Sequence, residues 1–583
     1  MMAKNKKTFF IKINGKDYRA KEGQTILDVA LKNKIFITRL CYHPDTVVQG
    51  SCRLCLVEIK GKKGLFTSCN TQVEPHMDIL TDSEAISRAK KTNLELIFTE
   101  HCEECGDCIY QYSCTIKDFA KKYNVKINKF PDRKKNHPVH EFGPALLFDS
   151  KKCIDCGICV DICKKVGACF LEFEKVGDFY EVMPSSKPDK DCIYCGQCIT
   201  HCPVGAFEGV GEFEAIENPL QQKDQGKTVV FQFAPSIRST IGEEFGMPYG
   251  SVVTGRLIGA IKQLGIEHVF DVSVGADVTT IEEANELVER LNDDQAVLPM
   301  FTSCCPGWVK YLEFYYPEFI PHLTTVRSPQ IIMGGLIKTY WAEEKGIDPK
   351  DIIVISIMPC VAKKYEIERP EVMIGDIKPV DHVLTTREFA QLLKKHKIDL
   401  KEVKAVNPDP FLSTPTGAGV IYGASGGVME SALRTAYNKI TGKKLPRLDL
   451  EQVRGINGLK KAEIEINGKK LKVGVANGAA NAKKILEELK ENPSAYDYVE
   501  MMACFGGCIG GGGQPVPVND EIRKKRAQAL YNVDNRQNVR MAEDSPFVKS
   551  LYNDFFKNHD ILHKVCHTSF SKKDKEVYPK TSN

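Results

Sequence analysis

Residues 352–360 read Ile352-Ile353-Val354-Ile355-Ser356-Ile357-Met358-Pro359-Cys360. A short, almost unbroken run of β-branched apolar residues is the pattern of a strand buried on both faces, and here a cysteine follows it at once. The arrangement recurs along the second half of the chain. Thr228 to Phe233 leads into Ala234-Pro235-Ser236, Val297 to Phe301 into Thr302-Ser303-Cys304-Cys305, and Tyr498 to Met502 into Cys504; His268 to Val272 and Lys472 to Ala476 read as further strands. Strands alternating with helical stretches from about Gln225 onward predict an α/β domain. Such sheets bind ligands outside the carboxyl ends of their strands. One cavity can therefore collect all of these loops.

Cys304, Cys305, Cys360, Cys504 and Cys508 match no zinc, disulfide or ferredoxin spacing, and their three stretches lie about 55 and 145 residues apart. Only a folded domain brings them together, and thiolates gathered that way usually hold a soft metal centre. The run Gly510 to Gly513 lacks the Gly-Lys-Ser/Thr ending and following helix of a phosphate loop. A tight backbone beside a bulky cluster suits it better. No G-x-G-x-x-G follows a strand, so no nicotinamide or flavin site is expected.

The 583 residues suggest roughly four domains. With 42% apolar residues and a formal net charge of +4, the composition fits ordinary globular cores and argues against binding of nucleic acid through phosphates. The basic stretch Lys121 to Lys135 reads as a solvated linker, and the lysine-rich tail Ser571 to Asn583 as frayed. No apolar run reaches the roughly 18 residues of a membrane span, and Met1 to Lys7 leads into an alternating strand rather than a signal-peptide segment. The expected location is the cytoplasm, away from any membrane. Thiols stay reduced there, so the 23 cysteines point to metal ligation.

Near the start, Phe9-Ile11-Ile13 alternate before Asn14-Gly15, predicting a hairpin over 8–20. A helix is expected from about Thr25, capped near Gln24 and ending before Lys34. Cys41, Cys52, Cys55 and Cys69 follow as C-x10-C-x2-C-x13-C, similar to a plant-type 2Fe-2S arrangement with a longer first gap. A structural zinc is the alternative, though a zinc ribbon usually shows two C-x2-C knuckles. His101, Cys105, Cys108 and Cys114 suit zinc or a 4Fe-4S cluster equally by spacing. A redox-inert zinc would interrupt an electron path, which favours the cluster, and imidazole in place of thiolate should raise its potential. Cys102 is off pattern and reads as a bystander thiol. Cys153, Cys156, Cys159 and Cys163, then Cys192, Cys195, Cys198 and Cys202 before Pro203, repeat C-x2-C-x2-C-x3-C. In such two-cluster modules the fourth cysteine ligates the other cluster, so Cys202 joins the first three and Cys163 the second. Lys164 replaces the usual proline after the first run.

The stretches TSCCPGW, MPCVAKKYE and EMMACFGGCIGGGGQP resemble the three active-site signatures of iron-iron hydrogenases, and the N-terminal cluster set resembles the large monomeric, ferredoxin-linked type. The likeness covers nearly the whole chain. It implies an N-terminal 2Fe-2S ferredoxin-like domain over 1–84, a 4Fe-4S domain with one histidine and three cysteine ligands over 85–135, a two-4Fe-4S bacterial ferredoxin-like domain over 136–215 and a large α/β active-site domain over 216–583. Residues 520–583 would wrap around the last. One 2Fe-2S cluster and three accessory 4Fe-4S clusters would feed an H-cluster: a 4Fe-4S cubane on Cys305, Cys360, Cys504 and Cys508, with Cys508 bridging to a two-iron unit. That unit would carry carbon monoxide, cyanide and a bridging azadithiolate.

Cys304 would then be free to relay protons, which suits a reaction that takes electrons and protons separately. Lys363 and Ser236 would hydrogen-bond the cyanides, Met358 and Met502 would form soft walls, and Pro235, Ser328, Gln330 and Tyr422 would complete the lining. On a helix expected over Ile281 to Leu291, Glu283, Glu286 and Arg290 form a stripe. By periodicity alone it is a solvated face with an i, i+4 ion pair. The resemblance makes it a relay: Cys304, Glu283, Thr324, Glu286, then Arg290 at the exit, with Thr324 where a serine is usual. No role is assigned to Cys169, Cys566 or Phe505.

The resemblance further implies ferredoxin or flavodoxin as electron partner, maturation proteins that build the two-iron unit, and a monomer. At about 59 mV per pH unit the proton/hydrogen couple lies near -410 mV at pH 7, close to the roughly -400 mV of plant-type ferredoxins. Reversible traffic costs little. Three other readings compete. The five unmatched cysteines argue against a respiratory cluster subunit, and Cys304 with Glu283 and Glu286 against a hydrogen sensor or iron-sulfur assembly protein. A multi-subunit bifurcating hydrogenase would be expected to carry a further C-terminal cluster, for which only Cys566 remains.

Overall fold

The computed structural model describes residues 7–101, 105, 108–177, 179–212, 216–217, 220, 226–408, 412, 414–577 and 580–582. Cys102 and part of the 215–225 junction lie outside the described residues.

Thr8–Ile13 and Lys16–Lys21 form the expected hairpin, turning on Asn14 and Gly15, both at positive φ (53° and 78°). They open a five-stranded sheet completed by Asp78–Leu80, Leu56–Ile59 and Leu65–Thr67. The helix beside it is Ile26–Lys32. Thr25, not Gln24, is its cap, because the Thr25 hydroxyl accepts from Asp28 N while the Asp28 carboxylate accepts from Thr25 N.

The basic stretch after helix Thr115–Lys122 is not wholly solvated. Lys134 is 1% exposed and donates to Cys153 O at 2.9 Å and Asp155 Oδ1 at 2.6 Å. The tail is not frayed either. Lys573 N donates to Glu313 O, the Tyr194 hydroxyl donates to Glu576, and Lys580–Ser582 pairs antiparallel with Val139–Phe142. The chain's end is thus a strand in the sheet of the cysteine-rich region, beside Leu146–Asp149 and Phe207–Gly209.

The C-terminal half holds two four-stranded sheets. In the first, His268–Asp271, Thr228–Phe233, Ile352–Met358 and His382–Thr385 run parallel in that order. The second joins Met300–Phe301, Tyr498–Met502 and Lys469–Asn477 in parallel, with Leu459–Ile466 as an antiparallel edge. The last strand of each sheet escaped the apolar-run criterion: Leu459–Ile466 carries charges on alternate positions, and His382–Thr385 is only four residues long. The loops after 228–233, 300–301, 352–358 and 498–502 converge as expected, but from the carboxyl ends of two sheets rather than one. Helix Val272–Asn292 begins well before Ile281 because Asp271 caps it, its carboxylate accepting from Ser273 N.

One apolar core runs from Phe142, Phe170 and Phe207 of the cysteine-rich region into Trp308 of helix Pro306–Tyr315 and Val499 of the second sheet. The glycine run lies on this border. A Cβ on Gly512 would stand 2.4 Å from Gly196 Cα and 2.5 Å from Cys195 O, so only glycine allows the two backbones to touch.

Candidate active site

The four loops border a cavity lined by Cys304, Cys305, Cys360 and Cys508. Pro235, Ser236, Gln330, Met358, Lys363, Tyr422 and Met502 also face it. Cys504 packs behind, its Sγ 3.5 Å from Cys195 O, close enough to Cys360, Cys195, Cys305 and Cys508 for each to raise its pKa. Burial, then mutual repulsion, raises the pKa of Cys360 to about 12 and lifts those of Cys504 and Cys508 as well. Four thiols so placed resist ionisation until a cation neutralises them, which is the donor set of an iron-sulfur group. Ser328, expected in the lining, faces a neighbouring pocket with Arg327 and Glu366 instead, while Gln330 Oε1 is buried without a hydrogen-bond partner among the described residues. A residue set of this kind fits a bulky, soft, polar-ligated metal group.

Lys363 Nζ donates to both oxygens of Glu366 (3.0 and 2.8 Å) and to Cys304 O (3.2 Å). Burial opposes its charge, but Glu366 outweighs burial and holds the pKa above the ordinary value. Gln330 Nε2 donates to Glu366 as well, at 3.0 Å. Ser236 Oγ accepts from Gln514 Nε2 at 3.3 Å, leaving its own proton available to the cavity, while Gln514 also donates to Cys508 O. Glu366 and Gln514 were missed in the sequence. Both stand inside the quoted signatures, Glu366 at the end of MPCVAKKYE and Gln514 in EMMACFGGCIGGGGQP, and Glu366 also at i, i+3 from Lys363.

Glu283 is 0% exposed, so the stripe on the 272–292 helix is not a solvated face at its inner end. Burial and then Glu286 raise its pKa to about 8. The Tyr498 hydroxyl donates to Glu283 Oε2 at 3.3 Å, and Oε1 has no hydrogen-bond partner among the described residues. Cys304 is raised well above the ordinary thiol range, by burial first and Glu283 second. The Tyr422 hydroxyl pairs with Thr280 at 2.9 Å. Farther out, Thr324 Oγ1 donates to Glu286 Oε2 at 2.6 Å and Arg290 to Glu286 Oε1 at 2.5 Å. That i, i+4 ion pair is half of the periodicity reading and the outer end of the relay reading at once. Cys304 to Glu283 and Glu283 to Thr324 are not joined by direct hydrogen bonds among the described residues.

Upstream, Cys163, Cys192, Cys195 and Cys198, the crossed set, line one pocket, and Cys202 lies close enough to Cys156 to raise its pKa, after burial. His101, Cys105, Cys108 and Cys114 line another. The His101 Nδ1 faces Lys152 O at 2.8 Å, and burial lowers the imidazole pKa, so a neutral ring presents Nε2 to the site. Cys41, Cys52, Cys55 and Cys69 are all buried, and Cys52 N donates to Cys41 Sγ at 3.3 Å. Three junctions connect the sites: Cys41 lies near Cys156, Tyr110 beside Cys108 donates to Cys202 O at 2.9 Å, and Cys195 abuts Cys504. Two inlets therefore converge on one chain that ends at the cavity. Cys169 sits at φ 50° beside Cys163, and Cys566 is fully buried.

A fold that leads several cysteine-lined sites to one buried thiol cavity belongs to the class of iron-sulfur oxidoreductases. Residues 227–512 match the family described as iron only hydrogenase large subunit, C-terminal domain, and residues 520–573 the iron hydrogenase small subunit. Residues 6–84 match a 2Fe-2S iron-sulfur cluster binding domain, and 152–206 a 4Fe-4S dicluster domain. The NADP-reducing hydrogenase subunit HndD of Solidesulfovibrio fructosivorans is 37% identical over 97% of this chain and 99% of its own length. Iron hydrogenase 1 of Clostridium pasteurianum is 38% identical over 94% and 98%. A solved apo FeFe hydrogenase variant from Chlamydomonas reinhardtii superimposes with a TM-score of 0.55 at 37% identity, over 61% of this chain and 98% of that one.

The chain belongs to the iron-only (FeFe) hydrogenase family. Its chemistry is hydrogen production or uptake at an H-cluster, supported by 2Fe-2S and 4Fe-4S clusters. Among the described residues no helix is long and apolar enough to cross a membrane.

Proposed function

We propose that this chain reversibly reduces protons to hydrogen with electrons from reduced ferredoxin or flavodoxin. The observation that carries the reading is Cys304, a protonated thiol on the cavity wall, beside a fully buried Glu283. Cys305, Cys360, Cys504 and Cys508 would hold the cubane, with Cys508 bridging to the azadithiolate-bearing two-iron unit that maturation proteins supply. Bound there, the H-cluster would supply the low-potential redox chemistry of the reaction.

The protein's own groups do the rest. Lys363, charged and fixed by Glu366, and Ser236, fixed by Gln514, offer donors to anionic ligands. Met358, Met502 and Pro235 keep that wall apolar. Cys304 Sγ holds a proton at the cavity, Glu283 takes or returns it, and Thr324 passes it to Glu286 and the Arg290 exit. A side-chain swing of Glu283, or one intervening water, spans the gap to Thr324.

Electrons would enter through one 2Fe-2S cluster on Cys41, Cys52, Cys55 and Cys69 or a 4Fe-4S cluster on His101, Cys105, Cys108 and Cys114. Cys153, Cys156, Cys159 and Cys202 would hold a second 4Fe-4S cluster and Cys163, Cys192, Cys195 and Cys198 a third, each of which would supply one-electron redox chemistry between the entry sites and the cavity. The four units would span 1–84, 85–135, 136–215 and 216–583, a division that the family matches over 6–84, 152–206 and 227–512 support.

A second reading has a specific observation behind it. HndD, to which this chain is 37% identical over 99% of HndD's own length, is named as a subunit of an NADP-reducing hydrogenase. The electron partner would then be a companion subunit rather than a free carrier. Infrared spectra of matured protein under hydrogen test the main reading: absence of metal-bound carbonyl and cyanide bands would overturn it. Hydrogen evolution with reduced ferredoxin by the isolated chain separates the two partners.

A further inference from the structure

Glu286 is held from two sides. Besides Thr324 and Arg290, its Oε2 accepts from Thr325 N at 3.0 Å and Thr325 Oγ1 at 3.2 Å. Thr325 Oγ1 in turn lies 2.8 Å from His567 Nδ1. The ring's other nitrogen, Nε2, is 3.2 Å from Glu282 Oε2, and Glu282 Oε1 accepts from the Tyr552 hydroxyl at 2.6 Å. His567 stacks on His563, with ring centroids 5.3 Å apart and 20° between planes, and the His563 end is exposed. A continuous hydrogen-bonded chain therefore leaves Glu286 by a route that bypasses Arg290.

We propose that His567 is a second outlet of the proton path, passing protons between Glu286 and solvent through the Thr325 hydroxyl. The inference rests on the relay reading above. With Glu286 protonated, its proton moves from Oε2 to Thr325 Oγ1 as the hydroxyl proton moves to His567 Nδ1. With imidazolium present the same two transfers reverse. One proton changes place, one O–H and one N–H bond exchange, and no electron moves. Imidazole suits the task because its ordinary pKa lies closest to neutral, so it both accepts and releases protons there. The charged and titratable groups facing it are Glu282 and Glu286 on the 272–292 helix, Tyr552 on Pro546–Asn553, and His563 and Lys564 on its own helix, His559–Cys566.

His567 also ties the C-terminal segment down through its backbone, since Arg327 Nε donates to His567 O at 2.6 Å. The test therefore targets the side chain alone. In the loaded holoenzyme, His567→Gln should lower hydrogen evolution about tenfold in dilute bulky buffer, and excess imidazole should restore it. Thr325→Val, which leaves those backbone contacts intact, should cut the same link and lower the rate likewise. In protein lacking the two-iron unit, Glu286→Gln should change the NMR chemical shifts of the His567 ring, to which Thr325 links it. Wild-type rates for both His567→Gln and Thr325→Val in every buffer, or unchanged ring shifts, would overturn the inference. If Glu286→Gln also evolves hydrogen at the wild-type rate, the relay reading itself fails. If Glu286→Gln is inactive and the other two are not, only the second outlet fails.

Discussion

The hydroxyl of Tyr498 donates to Glu283 Oε2 at 3.3 Å, although the two residues are 215 positions apart and neither shows any surface. The contact fixes one carboxyl oxygen of the residue that follows Cys304 on the proposed path. Tyr498→Phe removes the hydroxyl and keeps the ring. Because that bond favours the charged carboxylate, its loss should raise the Glu283 pKa further and slow hydrogen evolution about fivefold. The carbonyl and cyanide infrared bands should stay unchanged; an unaltered rate would remove Tyr498 from the path.

Glu283 also makes a stability prediction. Its folded pKa of about 8 lies above the ordinary carboxyl value. Between the two, the unfolded chain releases a proton that the folded chain keeps, so stability falls as pH rises, by at most about 1.4 kcal/mol per pH unit. Glu283→Gln does not titrate. Its melting temperature relative to wild type should climb steadily between about pH 5 and pH 8, and parallel melting curves for the two proteins at both ends would contradict the shift.

Cys304→Ala leaves the four cubane thiols in place. It should retain the infrared bands while hydrogen evolution drops at least about a hundredfold. Loss of the bands would instead make Cys304 a ligand.

His101→Cys exchanges a neutral imidazole for a thiolate. The added negative charge should lower the midpoint potential of that cluster by roughly 100 mV or more. Potentiometric titration followed by electron paramagnetic resonance measures it, and a rise would exclude His101 as a ligand.

Gly512→Ala pushes a Cβ against Gly196 and Cys195 O. The strain, about 1–3 kcal/mol, falls where the last accessory site meets Cys504. Hydrogen evolution driven by reduced carrier should fall more than hydrogen-deuterium exchange, which needs no outside electrons. Equal losses would mean that the contact is structural alone.

Much of this was legible in the sequence. The crossed pairing of Cys163 with Cys192, Cys195 and Cys198 could be written down because a C-x2-C-x2-C-x3-C run is local: a few bonds of backbone set its ligand geometry. Strand Ile352–Met358 and the loop after it were equally plain from a short apolar run and its punctuation. Periodicity misjudged the stripe on the 272–292 helix, since Glu283 is enclosed by the strand carrying Tyr498, which no helical spacing announces. Lys134 and the tail were misread for the same reason, their charges being matched by Asp155, 21 positions on, and by Lys310, 266 positions from Glu576.

From the residues alone came the family, the proposed donor sets and the loops that meet at the cavity, because thiol spacing and strand punctuation act over neighbouring residues. Only the tertiary structure decided which charges lie in water and which in the core. It enclosed Glu283, gave Lys363 its Glu366, tied Ser236 to Gln514 and brought His567 to Glu286 through Thr325. A carboxyl group's protonation depends on desolvation and on partners hundreds of residues away, and both arise only when the two sheets and the returning C-terminal segment close around it.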